Sequence, residues 1–525
     1  MHKEFFINRR NLMLSTVVTT AALLGAAPSL AADRNIMTLA YPTSFPDLDP
    51  STSFSNDNAV LANVYEPLVW YKPGVDGKEA TIEPGLALSW TASDAGKTWT
   101  FKLREGVTFH DGTAFDSAAV KFSIERTKKI NGGAAFIWWQ VISVETPDPM
   151  TAVFKLSDAA AIDQVASSGY AAWMISPKAA DKDAAWFNAG NDAGTGPYTI
   201  ASHAPGQQTI LKSNDKYWGG HPDGHFTDVV MQIVEDPILR QQKIESGEAD
   251  WTMQLPTENL GKFKDSADVA LVVNPAFQNL FGMLNTAKKP LDNPKVRQAL
   301  SHAFPTTDFL NTAMAGYASA PRGIIPTGML GHDPEAPQYA FDIDKAKALL
   351  AEAGVAGGSL KLTMTYATGD TVEETAGQLW KAALAKIGVE LTLQPMAWEA
   401  QWALGKSDPA KAQDVFLMYW WPTYVNPHDF LFNIFRSEAS PNYNLGYYKN
   451  ASYDGLIDAG STLAGTDRPA ALAKFKEAQR LAIDDAAAVF MMDQQNIHLM
   501  RKNIAGYVDN PAYGHVVFFN QLSRK

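Results

Sequence analysis

The 525-residue sequence contains no cysteine, so it can form no disulfide bond, carry no lipid on an N-terminal cysteine and use no thiol as a nucleophile. Beyond residue 31 it also lacks any apolar run near the roughly 20 residues that span a bilayer. Cationic side chains are the minority, because 44 Lys and Arg residues stand against 56 Asp and Glu residues, for a net charge of −12. This acidic balance predicts that neither nucleic acid nor an anionic membrane surface is a partner.

The first 31 residues have the pattern of an export signal. Lys3, Arg9 and Arg10 precede an apolar run over residues 12–30, and residues 29–31 offer small side chains where a signal peptidase cleaves. The paired arginines also resemble a twin-arginine signal, so the Sec and twin-arginine export routes are both open. We therefore predict a signal peptide over residues 1–31 and a freely diffusing protein of the periplasm.

Motifs for catalysis and for cofactors are missing from the sequence. It has no Gly-x-Ser-x-Gly elbow and no His-Glu-x-x-His pair. Gly194 and Gly196 lack the third glycine of a nucleotide-binding loop, and the glycines around His221 and His225 preclude a rigid helix that would aim both rings at one metal. We expect no cofactor, no metal and no catalytic residue. Unplaced carboxylates leave a periplasmic hydrolase of the glycosidase type as the enzyme alternative.

The segment after residue 76 is predicted to be rich in strands. Residues 98–104 alternate apolar and polar side chains, which indicates a half-buried strand. Asp116 or Ser117 would cap the helix that follows. Two alternating runs around a Pro-Asp-Pro turn within residues 141–156 predict a hairpin.

Strands alternate with helices in the rest of the chain. Thr371 and Glu374 form a capping box, which predicts a helix between strands over residues 360–366 and 389–395. Strand, helix and strand in this order indicate parallel pairing through a crossover, as in an α/β fold. At roughly 100 to 200 residues per domain, the length predicts about three compact units.

Several segments together resemble one family, the periplasmic solute-binding proteins of the peptide, nickel and opine class that serve ATP-driven importers. The segments that carry this resemblance are residues 64–69, 85–90, 98–126, 194–198, 214–219 and 284–300. The resemblance implies an α/β fold of two lobes, like a type II periplasmic binding protein, with an extra strand-rich accessory subdomain. It also implies a monomer that closes on a small-molecule ligand by a hinge and docks on ABC transporter permease subunits in the inner membrane.

The resemblance also implies how the chain is divided. Each lobe would be built from segments that are not contiguous in sequence, since the chain would cross twice between lobes. The predicted divisions are residues 1–31 for the signal peptide, 32–75, 191–275 and 496–525 for lobe I, 76–190 for the accessory subdomain and 276–495 for lobe II.

A loop rich in aromatics is the predicted ligand-binding stretch. Trp420 and Trp421 end a buried strand at its carboxyl end, where open α/β sheets bind ligands, and Tyr424 follows them. In peptide-binding members of the family this loop resembles Trp-x-x-Asp-Tyr, and the aspartate pairs with the α-ammonium group of the ligand. Thr423 occupies that position here, and a neutral hydroxyl cannot replace the charge. His428 resembles a histidine of nickel-binding members, but a single histidine is a poor metal site without a chelate that brings its own donors.

Other candidates for ligand contact come from elsewhere in the chain. Arg322 lies in a loop that family members turn toward the cleft, where it would bind a carboxylate or phosphate. Gln278 and Asn279, at the first predicted crossing, would form neutral hydrogen bonds, and by the resemblance Tyr65 and Glu66 would lie near the cleft.

The predicted ligand is a peptide or an amino-acid conjugate. An opine, a sugar conjugate or a metal chelate is the alternative for the same transport role. If the cleft is placed correctly, Trp421→Ala and Arg322→Ala are each expected to weaken ligand binding without changing the fold.

Overall fold

A computed structural model describes residues 35–74, 80–355 and 359–525, so the predicted signal peptide lies outside the described residues. The strands, numbered in chain order, are β1 (Ile36–Tyr41), β2 (Val69–Lys72), β3 (Thr81–Pro84), β4 (Ala87–Ser93), β5 (Thr98–Leu103), β6 (Val141–Asp148), β7 (Thr151–Leu156), β8 (Tyr198–Ala204), β9 (Gln208–Ser213), β10 (Asp228–Ile233), β11 (Trp251–Met253), β12 (Val269–Leu284), β13 (Ala318–Ser319), β14 (Leu360–Ala367), β15 (Val389–Met396), β16 (Val415–Trp420), β17 (Ala488–Arg501), β18 (Ile504–Ala505) and β19 (Ser523–Arg524).

Helices flank these strands through most of the described chain. They are α1 (Asn58–Val64), α2 (Ser117–Ile130), α3 (Ile162–Val165), α4 (Ala184–Asn188), α5 (Pro237–Ser246), α6 (Pro294–His302), α7 (Thr306–Met314), α8 (Ile343–Glu352), α9 (Thr371–Ala385), α10 (Trp398–Gly405), α11 (Pro427–Phe435), α12 (Ala451–Leu463) and α13 (Arg468–Asp484). Because strands and helices alternate along most of the sequence, the predicted α/β class is confirmed.

One large sheet runs through the protein. Its strands lie in the order β15, β14, β16, β12, β17, β11, β1, β10, β9 and β8, and β13 pairs with β17 beside this path. We call β8, β9, β10, β1 and β11 the first half of the sheet and β14, β15 and β16 the second half. The strands of the first half lie in two segments of the predicted lobe I, residues 32–75 and 191–275, whereas those of the second half lie in the predicted lobe II.

The two long strands β12 and β17 connect the halves. They are 16 and 14 residues long and pair with each other in antiparallel fashion over most of their length. The late part of β17 pairs with β11, whereas the late part of β12 pairs with β16. The pair of β12 and β17 therefore joins the two halves of the sheet, and we call these two strands the crossing strands.

A separate antiparallel sheet lies in the segment predicted as the accessory subdomain. Its strands are ordered β4, β5, β7 and β6, and the hairpin predicted within residues 141–156 is the pair β6 and β7. This sheet packs with α2 around a hydrophobic core of its own, in which Trp138 stacks on Phe154 at 5.9 Å between ring centroids. Asp116 caps α2 by accepting a hydrogen bond of 3.0 Å from the Ala119 N–H, as predicted.

The predicted strand, helix and strand around residue 375 are confirmed, but the predicted cap is wrong. Strands β14 and β15 are parallel, and α9 connects them. The N-cap is Asp370, which accepts hydrogen bonds of 2.9 Å from the N–H groups of Val372 and Glu373, so Thr371 is the first helical residue. An aspartate one position earlier competes better for these N–H groups than the threonine does, because its carboxylate is charged.

Gly194 and Gly196 serve close backbone packing. A Cβ atom on Gly194 would lie 2.0 Å from the carbonyl oxygen of Val64, and one on Gly196 would lie 2.7 Å from the carbonyl carbon of the same residue. No larger side chain fits between these two backbone segments, so both glycines are needed for close packing.

Candidate ligand-binding cleft

A cavity of about 950 Å³ lies where the two halves of the large sheet meet. Residues 253–258 and the C-terminal segment near Gly514 line it from the first half, and residues 369–372 line it from the second half. Residues 276–278 of β12 and 494–497 of β17 line it at the crossings. A volume of this size suits a small solute such as a short peptide.

The register of the crossing strands breaks beside this cavity. Pro275 pairs with Gln495, but the next pair is Asn279 with Asp493, so three residues of β12 oppose a single residue of β17. Gln278, one of the predicted ligand contacts, lies in this bulge and lines the cavity. A bulge locally interrupts the ladder and lets paired strands bend.

Asn279 and Asp493 are buried and pair with each other where the regular ladder resumes after the bulge, and neither lines the cavity. Asn279 donates a hydrogen bond of 2.8 Å from its side-chain amide to the Ile324 carbonyl, and Asp493 accepts from the Thr327 N–H at 3.2 Å. Burial raises the pKa of Asp493 to about 7. Asn279, a predicted ligand contact, therefore binds the backbone at Ile324 and does not line the cavity.

Trp420 and Trp421 lie at the end of β16 and differ sharply in exposure. Trp420 is 7% exposed and packs edge-on against Tyr443 with ring centroids 5.0 Å apart. Trp421 is 41% exposed and lines the cavity. Successive residues of a strand point to opposite faces, so one tryptophan belongs to the core and its neighbour to the cavity.

Tyr419 and Asp370 form a polar patch on the second-half wall of the cavity. The Tyr419 hydroxyl donates a hydrogen bond of 3.5 Å to Oδ1 of Asp370, the same oxygen that caps α9. Burial and the nearby carboxylates raise the pKa of Tyr419 well above its usual value, so its hydroxyl stays protonated and remains a donor.

Arg240 lines the cavity on the first-half side, but its guanidinium group is already bound. It donates hydrogen bonds to four backbone carbonyls, at 2.7 Å to Val234 and Glu235, 3.2 Å to Met253 and 2.6 Å to Gln254. The residue is only 3% exposed. Arg240 therefore holds this wall together through four of its five N–H groups.

Two residues of the cavity wall have positive φ although neither is glycine. Gln254 has φ of 52° and His515 has φ of 64°. The backbone carbonyl of His515 accepts a hydrogen bond from the Tyr41 hydroxyl, and burial lowers the pKa of the His515 ring. Backbone in this region costs a non-glycine residue free energy and is concentrated at binding sites.

The loop after Trp421 turns away from the cavity. Thr423 is buried, its N–H donates to Oδ2 of Asp429 at 3.1 Å, and its carbonyl accepts from the Ser168 hydroxyl at 2.6 Å. Tyr424 and His428 share a hydrogen bond of 3.0 Å between the hydroxyl and Nδ1. None of Thr423, Tyr424 and His428 lines the cavity.

His428 is packed inside the second half. Its ring stacks on Phe432 with centroids 4.6 Å apart, and burial lowers its pKa to about 4. Among the described residues no group of three or more His, Asp, Glu or Cys residues is arranged to hold a metal ion. His221 bonds the side-chain oxygen of Asn520 at 2.5 Å and the carbonyl of Asn214 at 2.9 Å, and His225 bonds the carbonyl of Pro222 at 3.1 Å.

Tyr65 and Glu66 are buried. The Tyr65 hydroxyl accepts from the Ala193 N–H at 3.1 Å. Glu66 accepts from the hydroxyl groups of Thr195 and Tyr217 at 2.8 and 2.9 Å and from the Trp218 indole at 2.9 Å. These contacts join α1 to the returning chain near residue 195, and neither side chain lines the cavity.

Arg322 lies on the surface, and it is not among the residues that line the cavity. Of the ten residues that the sequence singles out, the structure thus brings Trp421 and Gln278 together at the cavity. Asp370, Tyr419, Arg240 and Gln254 also line the cavity and are not among these ten. Of these four, Asp370 has a signal in the sequence, because an aspartate directly before Thr371 is typical of a helix cap.

Comparison with known proteins places the chain in a family. The profile of the family described as bacterial extracellular solute-binding proteins, family 5 Middle, matches residues 81–442. The probable D,D-dipeptide-binding periplasmic protein DdpA of Escherichia coli K12 is 31% identical over 527 residues, which cover 99% of each chain.

Solved structures share the fold. The ABC transporter-associated periplasmic binding protein DppA from Helicobacter pylori, in complex with the peptide STSA, superimposes with a TM-score of 0.76 at 23% identity, over 93% of this chain and 98% of that chain. NikA from Brucella suis, in complex with Fe(III)-EDTA, superimposes with a TM-score of 0.81 at 22% identity, over 93% of this chain and 100% of the NikA chain.

The fold is that of the two-lobed periplasmic binding proteins, as predicted from the sequence. The chain belongs to family 5 of the bacterial extracellular solute-binding proteins. No helix among the described residues is long and apolar enough to cross a membrane.

Proposed function

We propose that this protein is the periplasmic component of an ABC importer that captures a short peptide in the cavity and delivers it, unaltered, to a membrane permease. The observation that supports this most is the 950 Å³ cavity, whose walls come from both halves of the sheet and from the two strands that join them. A solute held there contacts both halves at once.

Closure of the two lobes on the solute follows from the crossing strands. The connections between the two halves run through β12 and β17, and their pairing is interrupted between Pro275 and Asn279. We propose that the halves rotate about this bulge, as in other hinged binding proteins. Contacts to both walls form only in the closed state, so the solute stabilises that state.

The proposed lobes keep the boundaries predicted from sequence. Lobe I would comprise residues 32–75, 191–275 and 496–525, and lobe II residues 276–495. Residues 76–190 would form the accessory subdomain, which contains the separate four-stranded sheet. We propose export by the signal over residues 1–31 and a monomer in the periplasm.

A peptide is the ligand class that the relatives and the cavity support together. DdpA is named for D,D-dipeptides, and DppA was solved with a tetrapeptide. Metal chelates and opines are less well supported, because the loop residue His428 packs away from the cavity and Arg240 is already bound to carbonyls. The role is binding rather than turnover, in keeping with the family.

Uptake and binding measurements test the proposal together. Deleting the gene should abolish growth of the host on the cognate peptide as sole nitrogen source, and the purified protein should bind that peptide at one site. D-Alanyl-D-alanine and a set of di- to tetrapeptides are the first probes. Hydrolysis of the bound peptide by the purified protein would contradict a binding role, and unchanged uptake in the deletion strain would contradict a transport role.

A further inference from the structure

Neutral carboxamide side chains are concentrated around the cavity. Six residues of this kind line it, namely Asn56, Gln254, Gln278, Gln494, Gln495 and Asn496. Gln278 lies in the bulge of β12, and residues 494–496 lie on β17 opposite that bulge, so four of the six meet at the crossing strands. A carboxamide carries a donor and an acceptor but no charge. The crossing strands therefore give the cavity a polar, neutral wall that can form hydrogen bonds of both kinds.

Gln494 has a hydrogen-bond acceptor that the protein leaves unused. Its Oε1 atom is buried and has no hydrogen-bond partner among the described residues. The backbone of Gln494 is held by pairing with Ala318 of β13, which fixes the point from which this side chain extends. A buried acceptor without a donor is unfavourable, and an N–H group of a solute in the cavity would satisfy it.

The charged groups around the cavity disfavour a carboxylate. Glu235, Glu258 and Asp370 line it, and Arg240 is the single Lys or Arg among the described residues of the lining. Arg240 is 3% exposed and already donates to four backbone carbonyls. His515 also lines the cavity, and burial lowers the pKa of its ring, so the ring is neutral at pH 7. A carboxylate that loses its water here meets like charge and no free cation from the described lining.

We propose that the cavity selects peptides whose carboxyl end is uncharged, as in a carboxamide or a cyclic peptide, and that Gln278 and Gln494 bind this neutral end. The inference rests on the proposed function and specifies its ligand. A carboxamide offers N–H groups to Oε1 of Gln494 and a carbonyl oxygen to the amide N–H groups of Gln278, whereas a carboxylate offers acceptors only. The neutral end therefore matches both the hydrogen-bonding groups and the charge of the wall.

Matched peptides that differ only at the carboxyl end test this selectivity. Each member of a set of di- to tetrapeptides is prepared as the free acid and as the carboxamide, and isothermal titration at pH 7 gives Kd for both forms. The wild type is expected to bind the carboxamide at least about 10-fold more tightly than the acid, because only the acid must bury an unpaired charge.

Two substitutions assign the selectivity to the crossing strands. Gln278→Lys adds a cation to the wall, so it should tighten binding of the free acids and abolish or reverse the preference for carboxamides. Gln494→Met removes the unused acceptor at nearly constant volume and should weaken carboxamide binding roughly 3- to 10-fold, with little effect on the free acids. Gln378→Lys is the matched control, because Gln378 is exposed on α9 and does not line the cavity. Melting temperatures show whether each variant is folded.

The results that overturn the inference differ from those that overturn peptide binding itself. Equal or tighter binding of the free acids by the wild type, or an unchanged preference in folded Gln278→Lys, would overturn the selectivity and leave peptide binding intact. Equal weakening of both forms by Gln494→Met would overturn the role of Gln494. Binding of neither form of any peptide in the set by the folded wild type would overturn the proposed peptide-binding function, and the selectivity with it.

Discussion

Trp421→Ala is the change that separates the cavity from the core most clearly. Trp421 lines the cavity and is 41% exposed before a solute binds. If a full tryptophan side chain presents about 250 Å², the exposed part is roughly 100 Å². A solute that covers half to all of this area gains about 1 to 2.5 kcal/mol at about 25 cal/mol per Å², which corresponds to a 5- to 70-fold weaker Kd in the variant.

Trp420→Ala is the matched comparison, since the two residues are adjacent and chemically identical. Trp420 is 7% exposed and packs on Tyr443 and Phe430. Its removal should leave a cavity in the core and lower the free energy of unfolding by about 3 to 5 kcal/mol. Trp421→Ala should change that free energy by less than about 1 kcal/mol, because much of the ring is already in water.

Isothermal titration with a captured peptide gives Kd, and urea denaturation of the solute-free protein gives stability. The expected result is a weaker Kd with normal stability for Trp421→Ala, and lower stability for Trp420→Ala. Unchanged Kd for Trp421→Ala, with a peptide that the wild type binds, would refute the placement of the solute against this wall.

Four further variants test other parts of the structure. Burial raises the pKa of Glu373 to about 8. The stability that its protonated form contributes is complete below about pH 4.5 and is lost as the pH rises through 8. Between these pH values the free energy of unfolding falls by up to about 1.4 kcal/mol per pH unit. Glu373→Gln should therefore flatten the fall in stability between pH 5 and 7.5, as urea denaturation at each pH would show; an unchanged slope would contradict this. Arg240→Met leaves four carbonyls without their donor and should lower the free energy of unfolding by about 3 kcal/mol, measured by urea denaturation. Unchanged stability would contradict a structural role for these bonds. Gly194→Ala would bring a methyl group within 2.0 Å of the Val64 carbonyl oxygen and should lower the free energy of unfolding by about 3 kcal/mol or more. Thermal melting followed by circular dichroism tests this, and an unchanged melting temperature would contradict it. Arg322→Ala, at the surface outside the cavity, should leave Kd unchanged by titration, in contrast to the expectation from sequence; a weaker Kd would restore Arg322 to the site.

Local patterns in the sequence predict much of the secondary structure because the forces that decide it are local. The cap of α2 at Asp116 and the parallel strands around α9 follow from capping chemistry and from apolar runs. The predicted cap of α9 is misplaced by one residue, because Asp370 and Thr371 are adjacent cap-forming residues and the charged carboxylate of Asp370 is the better acceptor.

The candidate site is much less predictable, because it depends on contacts between distant parts of the chain. The aromatic pair at residues 420–421 is visible in the sequence, but which ring faces the cavity depends on how β16 pairs with β12. The bound state of Arg240 depends on carbonyls on both sides of α5 that the sequence does not place near each other. The family resemblance indicates the loop after Trp421 as a ligand-binding loop. In the structure its candidate residues Thr423, Tyr424 and His428 pack inward, away from the cavity.

A small solute is expected to lie in the cavity between the two halves and to leave unaltered. Native mass spectrometry of the wild type and of Trp421→Ala, each purified from the host periplasm, tests this expectation. A non-covalent adduct is expected on the wild type, released intact by acid and reduced on the variant. A covalent adduct, a released molecule that the protein converts on reincubation, or equal adduct on both proteins would contradict it.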